Sequence, residues 1–303
     1  MTGRVAEHDS DFFGHAEPVD YRHFLRREGY DFGLSESRVD DERIWITEAD
    51  AHVAAGRLHA LDWDSEFFGV PTGRLEGMFF RPDDPAPIET RHALVRRLVE
   101  RADAHGFRHM TCRVRADDLF LIQALEEEGF RLADLLTVYM LRLGPGEASP
   151  AVEWTELRPL LKRSMRGMRW GRMFNDEKFD RETAERFYVE VARHYCANGA
   201  HVTLHMRDGA PAGAAIGIVD DEVSRQIGCR YGVLWHLIVA PESQGTGVGT
   251  ALFRAFCRDF GARCDLLEIG TQIYNDAANR IYLKAGCVPR SHASTFHRWA
   301  ERA

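Results

Sequence analysis

The run Trp235-His-Leu-Ile-Val-Ala-Pro-Glu-Ser-Gln-Gly-Thr-Gly-Val-Gly249 constrains this chain more than any other stretch. Its apolar, β-branched start predicts a strand, Pro241-Glu-Ser-Gln244 a polar turn, and the glycines the opening of an amphipathic helix. Val248, Ala251, Leu252, Ala255 and Phe256 fall at i, i+3, i+4, i+7 and i+8, so one face of that helix is apolar. Glycines at a helix N-terminus leave several backbone N–H groups uncovered. They do so at the positive end of the helix dipole, which suits an anion and above all a phosphate. The stretch predicts a phosphorylated cofactor.

Two cofactor classes fit a strand followed by glycines. A dinucleotide site needs Gly-x-Gly-x-x-Gly directly after the strand and an acid about 20 residues on. Glu268 has that spacing, but Thr250 stands where the third glycine belongs, and the polar turn sets the glycines back from the strand. The alternative, Gln-x-x-Gly-x-Gly over Gln244 to Gly249, resembles the acyl-CoA pyrophosphate loop of the GNAT acyltransferases. Farther on, Leu266-Leu-Glu-Ile-Gly270 predicts a strand and Thr271-Gln-Ile-Tyr-Asn275 leads into a helix. Ala278, Ile281, Tyr282 and Ala285 share a face of that helix, and Gly286 ends it. Asn275, Ala278, Tyr282 and Gly286 together resemble the second GNAT signature. The order and spacing of the two motifs favour the acyl-CoA reading over the dinucleotide one.

Composition bounds the remaining classes. At 303 residues the length suggests two domains, and 45% hydrophobic content is enough for sizeable cores. A net charge of −8 argues against nucleic-acid binding as the main activity. The first residues include Arg4, Glu7, Asp9 and Asp11 and lack the apolar core of a signal peptide. No apolar run approaches the ~20 residues of a membrane helix. Six cysteines without CxxC spacing read as reduced thiols, so the expected compartment is the cytoplasm. His201 and His205 lie in a predicted strand, where i and i+4 stand far apart, so no metal site is expected.

The chain also carries a degenerate internal repeat. Glu89 to Ala104 predicts a helix with Leu94, Val95, Leu98, Val99 and Ala102 inward; His109 to Val114 a strand; Asp118 to Glu128 a helix; Leu136 to Leu141 a closing strand. The C-terminal half repeats this order, with Gly286 standing 157 residues after Gly129. That shift sets Asp118 on Asn275 and Leu125 on Tyr282, so the first copy lacks the tyrosine and the glycine loop. The expected architecture is an α/β, mixed-sheet GNAT acyltransferase fold with a degenerate N-terminal half. Its divisions are an irregular arm over 1–43, the degenerate domain over 44–143, a turn-rich linker over 144–150 and a catalytic domain over 151–303. Within the last, helices are expected near Glu156 to Met168 and over Asp180 to Ala197, the second with Ala184, Phe187, Tyr188, Val191 and Tyr195 as its apolar stripe.

Four segments resemble more narrowly the dTDP-fucosamine acetyltransferases, which N-acetylate dTDP-4-amino-4,6-dideoxygalactose. They are Asp62-Trp-Asp-Ser-Glu-Phe-Phe-Gly-Val70, Arg172-Met-Phe-Asn-Asp176 with Phe187-Tyr188, the Gln-Gly loop, and Thr271 to Asn275 with Tyr282. Met173, Cys287 and the N-terminal extension depart from that pattern. The resemblance implies acetyl-CoA as acyl donor and a small-molecule primary amine as acceptor, an amino sugar on a nucleotide. Leu237, Ile238 and Val239 would offer backbone groups to the pantetheine arm. Gln244, Gly245, Thr246, Gly247, Val248 and Gly249 would hold the pyrophosphate, with Asn275 also at the cofactor. Thr271, Gln272 and Arg172 would contact the acceptor.

Tyr282 is implied as the general acid for the departing thiolate, against the ordinary reading of a tyrosine on an apolar face as core. Asp134 is the candidate base through water, or else an exposed turn carboxylate; His236 is its rival. Arg163, Arg166, Arg169 and Arg172 recur every third residue, as a solvated helix face or as partners of a diphosphate. Trp63, Phe67 and Phe68 read as core or as the lining of a sugar pocket. Other amines (an aminoglycoside, a polyamine, a peptide N-terminus), a non-enzymatic acyl-CoA binding module and a homodimer all remain open at this level.

Overall fold

The computed structural model describes residues 12–13, 15–30, 43–48, 51–147 and 149–300. The first half holds β1 (Glu17–Pro18), α1 (Phe24–Arg27), β2 (Ile44–Glu48), β3 (Ala51–Ala60), α2 (Asp62–Phe68), β4 (Thr72–Phe80), α3 (Pro87–Ala104), β5 (His109–Arg115), α4 (Leu119–Glu127) and β6 (Arg131–Arg142). The second holds α5 (Trp154–Arg166), α6 (Arg181–Ala197), β7 (His201–Arg207), β8 (Ala210–Val219), α7 (Asp221–Ile227), β9 (Tyr231–Val239), α8 (Val248–Phe260), β10 (Leu266–Gln272), α9 (Asp276–Lys284) and β11 (Val288–Trp299). The repeat holds residue for residue. β5 and β10, α4 and α9, and β6 and β11 begin and end 157 residues apart. Asp118 and Asn275 perform the same task at that shift, each accepting a hydrogen bond from the backbone N–H three residues on.

The chain forms two compact units, Met1–Leu135 with Ser291–Ala303, and Leu136–Arg290. The division falls inside β6 and inside β11, whereas the sequence reading placed it at 144–150. The cause is an exchange of closing strands. Leu136 to Arg142 of β6 pair antiparallel along β10, and Ala293 to Trp299 of β11 pair antiparallel along β5. Each unit's run of strands ends on the strand that follows the other repeat's last helix, a pairing no local pattern announces.

In the first unit the strand order is β2-β3-β4-β5-β11, with β4 and β5 parallel. The stripe expected on α3 is buried, and with Leu121 and Leu125 of α4 it packs on Leu75, Met110, Cys112 and Phe296. The described residues of the arm include regular structure that its composition does not suggest. β1 pairs with Phe79 and Phe80 of β4, and Phe12 and Phe13 are buried against Trp45 and Phe79 in edge-on contacts of 5.0–5.7 Å. These apolar residues fall at no single period, which hid them. Residues 31–42 lie outside the described part.

The second unit orders its strands β7-β8-β9-β10-β6. Alternating side chains divide between its faces. Ala215, Leu234, Leu267 and Ile269 meet α8 and α9, while Ala214, Ile216 and Ile238 meet α5 and α6. Two glycines set the depth of α8. A Cβ on Gly217 would lie 2.6 Å from the Phe256 ring, and one on Gly232 2.6 Å from Phe260. Both rings therefore rest on bare backbone, a closeness only glycine permits. The buried face of α8 is Val248, Leu252, Phe253, Phe256 and Phe260. Ala251, expected on it, is exposed, because bulky Phe253 and Phe260 turn the helix toward the sheet instead. On α6 the buried set is Ala184, Phe187, Val189 and Ala192, leaving Tyr188, Val191 and Tyr195 half-buried.

The segment read as a linker is anchored to this unit by close backbone packing. A Cβ on Gly146 would overlap the Arg258 carbonyl oxygen and lie 2.6 Å from the Ala262 nitrogen; one on Gly261 would overlap the Gly144 carbonyl. The N–H of Leu143 donates to the Asp265 carbonyl at 2.9 Å. Gly146→Ala should consequently lower stability by about 1–3 kcal/mol, as overpacking against immobile backbone does. An unchanged thermal midpoint would show that 144–150 is the loose connector its composition suggests.

Candidate active site

The site begins where a strand pair comes apart. β9 and β10 run parallel from Tyr231/Leu266 to Leu234/Ile269. On its other side β9 pairs with β8, matching Ile216 to His236 and Gly217 to Leu234, so Trp235 is an extra residue bulged out of the ladder. A bulge bends its strand and sharpens the local twist. β9 turns away from β10 at this point, and Gly270, the next residue of β10, is exposed in mid-strand. Leu237, Ile238 and Val239 continue beside Ala215, Ala214 and Gly213 of β8, with the opposite edge of the strand turned toward the opening.

The glycine turn stands at the end of the opened strand. Pro241–Ser243 form a 3-10 turn, and Gln244 reaches back so that its Nε2 donates to the Val239 carbonyl at 3.3 Å. Gly245 and Gly247 take φ of +74° and +89°, a left-handed backbone that side chains disfavour. Gly247 is the N-cap of α8, with no side-chain cap and no acid in the first turn. The first-turn N–H groups and the positive helix end therefore face outward unneutralised. The side chain of Val248 is buried, so only its backbone is on offer. A Cβ on Gly249 would lie 2.9 Å from Ile281 Cδ1, so this glycine lets α9 close on α8. The opened strand thus leads to an uncapped, glycine-lined helix end whose backbone donors suit an anionic group.

The corresponding place in the first unit differs. Arg81-Pro-Asp-Asp-Pro-Ala86 precedes α3, and the Asp84 carboxylate, buried there, accepts from the Ala86 N–H at 2.9 Å. α3, like α8, has no side-chain cap, but Asp84 just before it and Glu89 in its first turn put negative charge where a phosphate would need to sit.

Tyr282 lies on α9, buried, with its ring 5.1 Å from Phe253 and 5.8 Å from Tyr139. Burial raises the pKa of its hydroxyl, and the nearby thiols of Cys287 and Cys257 and the hydroxyl of Tyr139 add to the shift. The hydroxyl stays protonated at any physiological pH. Asn275 is occupied structurally: its Oδ1 accepts from Ala278 N, and its Nδ2 donates to Thr271 Oγ1, both at 3.3 Å. It fixes α9 on the end of β10, where Thr271 is buried and Gln272 half-buried. Asn279 and Tyr139 were missed by the sequence reading. Asn279 accepts from Tyr139 Oη at 2.9 Å and donates to the Gln272 carbonyl at 3.1 Å, holding that second phenol beside Tyr282. A polar residue one turn after the helix cap was the available signal. Glu268, once a candidate for a ribose, is buried and accepts from Tyr231 Oη at 2.5 Å.

His236 sits on the opposite face of β9 from the α8 side, 4.9 Å from the Trp235 ring and 6.1 Å from Tyr188. Its Nε2 is buried without a hydrogen-bond partner among the described residues. Burial lowers its pKa to about 4. Asp134 belongs to the first unit. It is buried and not an exposed turn carboxylate, because it lies within β6, where its Oδ1 accepts from Leu135 N at 3.0 Å.

The arginine series is not one helix face. α5 ends at Arg166, and Gly167 closes it, so Arg169 and Arg172 lie in the following connection. Arg163 pairs with Glu242 at 3.3 Å, and the Arg172 guanidinium lies 5.8 Å from the Phe187 ring centre. That connection passes over the ends of both opened strands. A Cβ on Gly167 would touch Pro241 beyond β9 at 3.8 Å; Trp170 meets Tyr274 beyond β10 at 5.1 Å, and Asn175 Nδ2 donates to Tyr274 Oη at 3.1 Å. Trp63, Phe67 and Phe68 lie on α2 of the first unit and are half-buried, with Trp63 stacked on Phe67 at 5.4 Å. Among the described residues no helix is long and apolar enough to cross a membrane.

Comparison with known proteins places this geometry. Residues 154–287 match the acetyltransferase (GNAT) family. A GCN5-related N-acetyltransferase from Sphaerobacter thermophilus superposes with a TM-score of 0.53 at 14% identity, over 88% of this chain and 84% of its own. A tandem GNAT protein from the clavulanic acid biosynthesis pathway gives 0.52 at 16% identity, over 100% and 97%. A conserved protein of unknown function from Staphylococcus epidermidis gives 0.53 at 13%, over 87% and 96%. No curated protein matches the chain in sequence, and nothing in these similarities supports the narrower dTDP-fucosamine resemblance. The chain has the mixed α/β GNAT fold in two halves, with a GNAT-family segment in the second.

The lowered pKa of His236 makes stability depend on pH. Its folded value near 4 lies below the 6.5 of a free imidazole, so between those values the unfolded chain binds up to one more proton. The contribution is complete above about pH 6.5 and is lost toward pH 4, by at most about 1.4 kcal/mol per pH unit. His23 contributes a similar share, its pKa also lowered to about 4 by burial. His236→Gln should therefore flatten, but not abolish, the fall of the thermal midpoint between pH 7 and 4.5. A slope identical to wild type would mean that His236 is hydrated and titrates freely.

Proposed function

We propose that the second unit moves an acetyl group from acetyl-CoA to the primary amine of a small acceptor, an amino sugar carried on a nucleotide. The observation that carries this reading is the opening between β9 and β10 leading straight to the uncapped N-terminus of α8. A thioester laid along Leu237 to Val239 places its diphosphate at Gly245 to Gly249 and its carbonyl near the Trp235 bulge. Thr271 and Gln272, at the end of β10, and Arg172, in the connection above it, face the acceptor in this reading. The first unit is a scaffold in this reading, since Asp84 and Glu89 put negative charge at the start of α3 and Leu125 stands where Tyr282 would be.

The chemistry balances with two groups. The amine nitrogen, freed of its extra proton, bonds to the thioester carbonyl carbon; the C–S bond then breaks and the sulfur takes a proton. Tyr282 suits that second transfer, because burial keeps its hydroxyl protonated. Asp134 is the proposed acceptor of the ammonium proton through water, with His236, neutral at physiological pH, as the rival. Holding amine and thioester in line supplies much of the acceleration.

Tyr282→Phe should lower the turnover number by ~10²-fold or more and leave acetyl-CoA affinity almost unaltered by calorimetry. Wild-type turnover with chemistry rate-limiting would reduce Tyr282 to a packing residue. Asp134→Asn and His236→Gln, compared by pH–rate profile, assign the base, since only loss of the true base removes the acidic limb.

The acceptor has its own test. Arg172→Ala should raise the apparent constant for a nucleotide-linked amino sugar roughly ten- to a hundredfold while sparing acetyl-CoA. If the free amino sugar reacts as well as its nucleotide form with wild type, the nucleotide reading fails and a general small-amine acetyltransferase takes its place.

A further inference from the structure

Arg207, the last residue of β7, stands beside the glycine turn although it is 37 residues before Gln244 in sequence. β7 runs antiparallel to β8 and β8 antiparallel to β9, so the C-terminal ends of β7 and β9 share one edge of the sheet. Arg207 Nη1 donates to Thr246 Oγ1 at 3.2 Å, and Thr246 Oγ1 in turn donates to the Ser243 carbonyl at 2.7 Å. The threonine hydroxyl thus ties the guanidinium to the turn that ends in the N-cap of α8. Its other neighbour is weak: Asp208 Oδ2 lies 3.7 Å from Nε, and the Asp208 side chain is 93% exposed. A guanidinium has five N–H donors in a planar fork. Thr246 takes one, and the Arg207 side chain remains 49% exposed.

This arrangement has a use if the turn holds phosphate. α8 brings backbone N–H groups and a dipole but no cation in its first turn, where Val248, Gly249, Thr250 and Ala251 stand. A CoA molecule brings a diphosphate and a 3′-phosphate to a chain of net charge −8. Local positive charge has to come from outside the motif, and bidentate phosphate recognition is what a guanidinium does best. We propose that Arg207 is a phosphate ligand of the acyl donor, held in place by Thr246. The inference rests on the acyl-CoA reading above and adds a residue from the far edge of the sheet.

Calorimetric titration of the full chain with CoA and with 3′-dephospho-CoA tests it without any acceptor or turnover. Arg207→Ala should weaken CoA binding about tenfold, the usual worth of one partly exposed charge-assisted contact, and should reduce the salt dependence of the affinity. Equal weakening for both ligands assigns the diphosphate; weakening for CoA alone assigns the 3′-phosphate. Arg207→Lys should recover part of the loss, and Asp208→Asn should leave binding equal or tighter. A matching thermal midpoint for the Ala variant guards against a folding defect. Wild-type affinity for both ligands in Arg207→Ala would overturn the proposal and leave the acyl-CoA reading standing. Failure of the wild-type chain to bind either ligand would overturn both.

Discussion

The geometry of the second unit depends on one extra residue in a central strand. Trp235 has no partner position on β8, and its insertion coincides with the last pair between β9 and β10. Parallel strands normally continue side by side until their loops, and every backbone group in the gap then has a neighbour. Ending the ladder early leaves a stretch of β9, Leu237 to Val239, without β10 beside it. The cost of unpaired backbone is tolerable only where water or a ligand reaches it, and exposed Gly270 shows that something can. The bulge also sets Trp235 and His236 together on the α6 side of the sheet while Leu234 still packs under α8. One insertion therefore opens the cleft and chooses which side chains face each way.

The same plan occurs in the first unit, where β4 and β5 pair in parallel over four positions, from Thr72/His109 to Leu75/Cys112. What differs is chemistry at the helix end. Neither helix has a side-chain cap, but α8 starts on a left-handed glycine with no acid in its first turn, whereas α3 starts on proline with Asp84 just before it and Glu89 in its first turn. A fold can thus be kept while a few residues in one turn change the charge that it offers there.

Much of this was legible in the sequence because its signals are local. The glycine turn, the amphipathic helices of both repeats and the strand–helix–strand order after Gly106 and Gly261 follow from periodicity and capping. The 157-residue offset, read from two glycines, holds for three pairs of elements. The failures are of another kind. Nothing local says that β6 pairs with β10 and β11 with β5, because both strands carry similar alternation. Gly144 to Pro150 looks like a connector by composition, yet its glycines serve close backbone packing against α8. Asn275, assigned to the cofactor by its motif, also ties a helix to a strand, which the motif did not announce. Tyr139, 143 residues before Tyr282 in sequence, reaches it only through the pairing of β6 with β10.

The central claim is that the acyl donor lies along the open edge of β9 with its phosphates on α8. Backbone hydrogen exchange measured with and without CoA reads that directly, since each amide that acquires a partner is slowed. The account predicts added protection confined to Leu237 to Val239 and Gly245 to Thr250, with the corresponding stretch of the first unit, Arg81 to Glu89, unchanged. Protection at Arg81 to Glu89 instead, or none at the glycine turn despite measurable CoA binding, would contradict it.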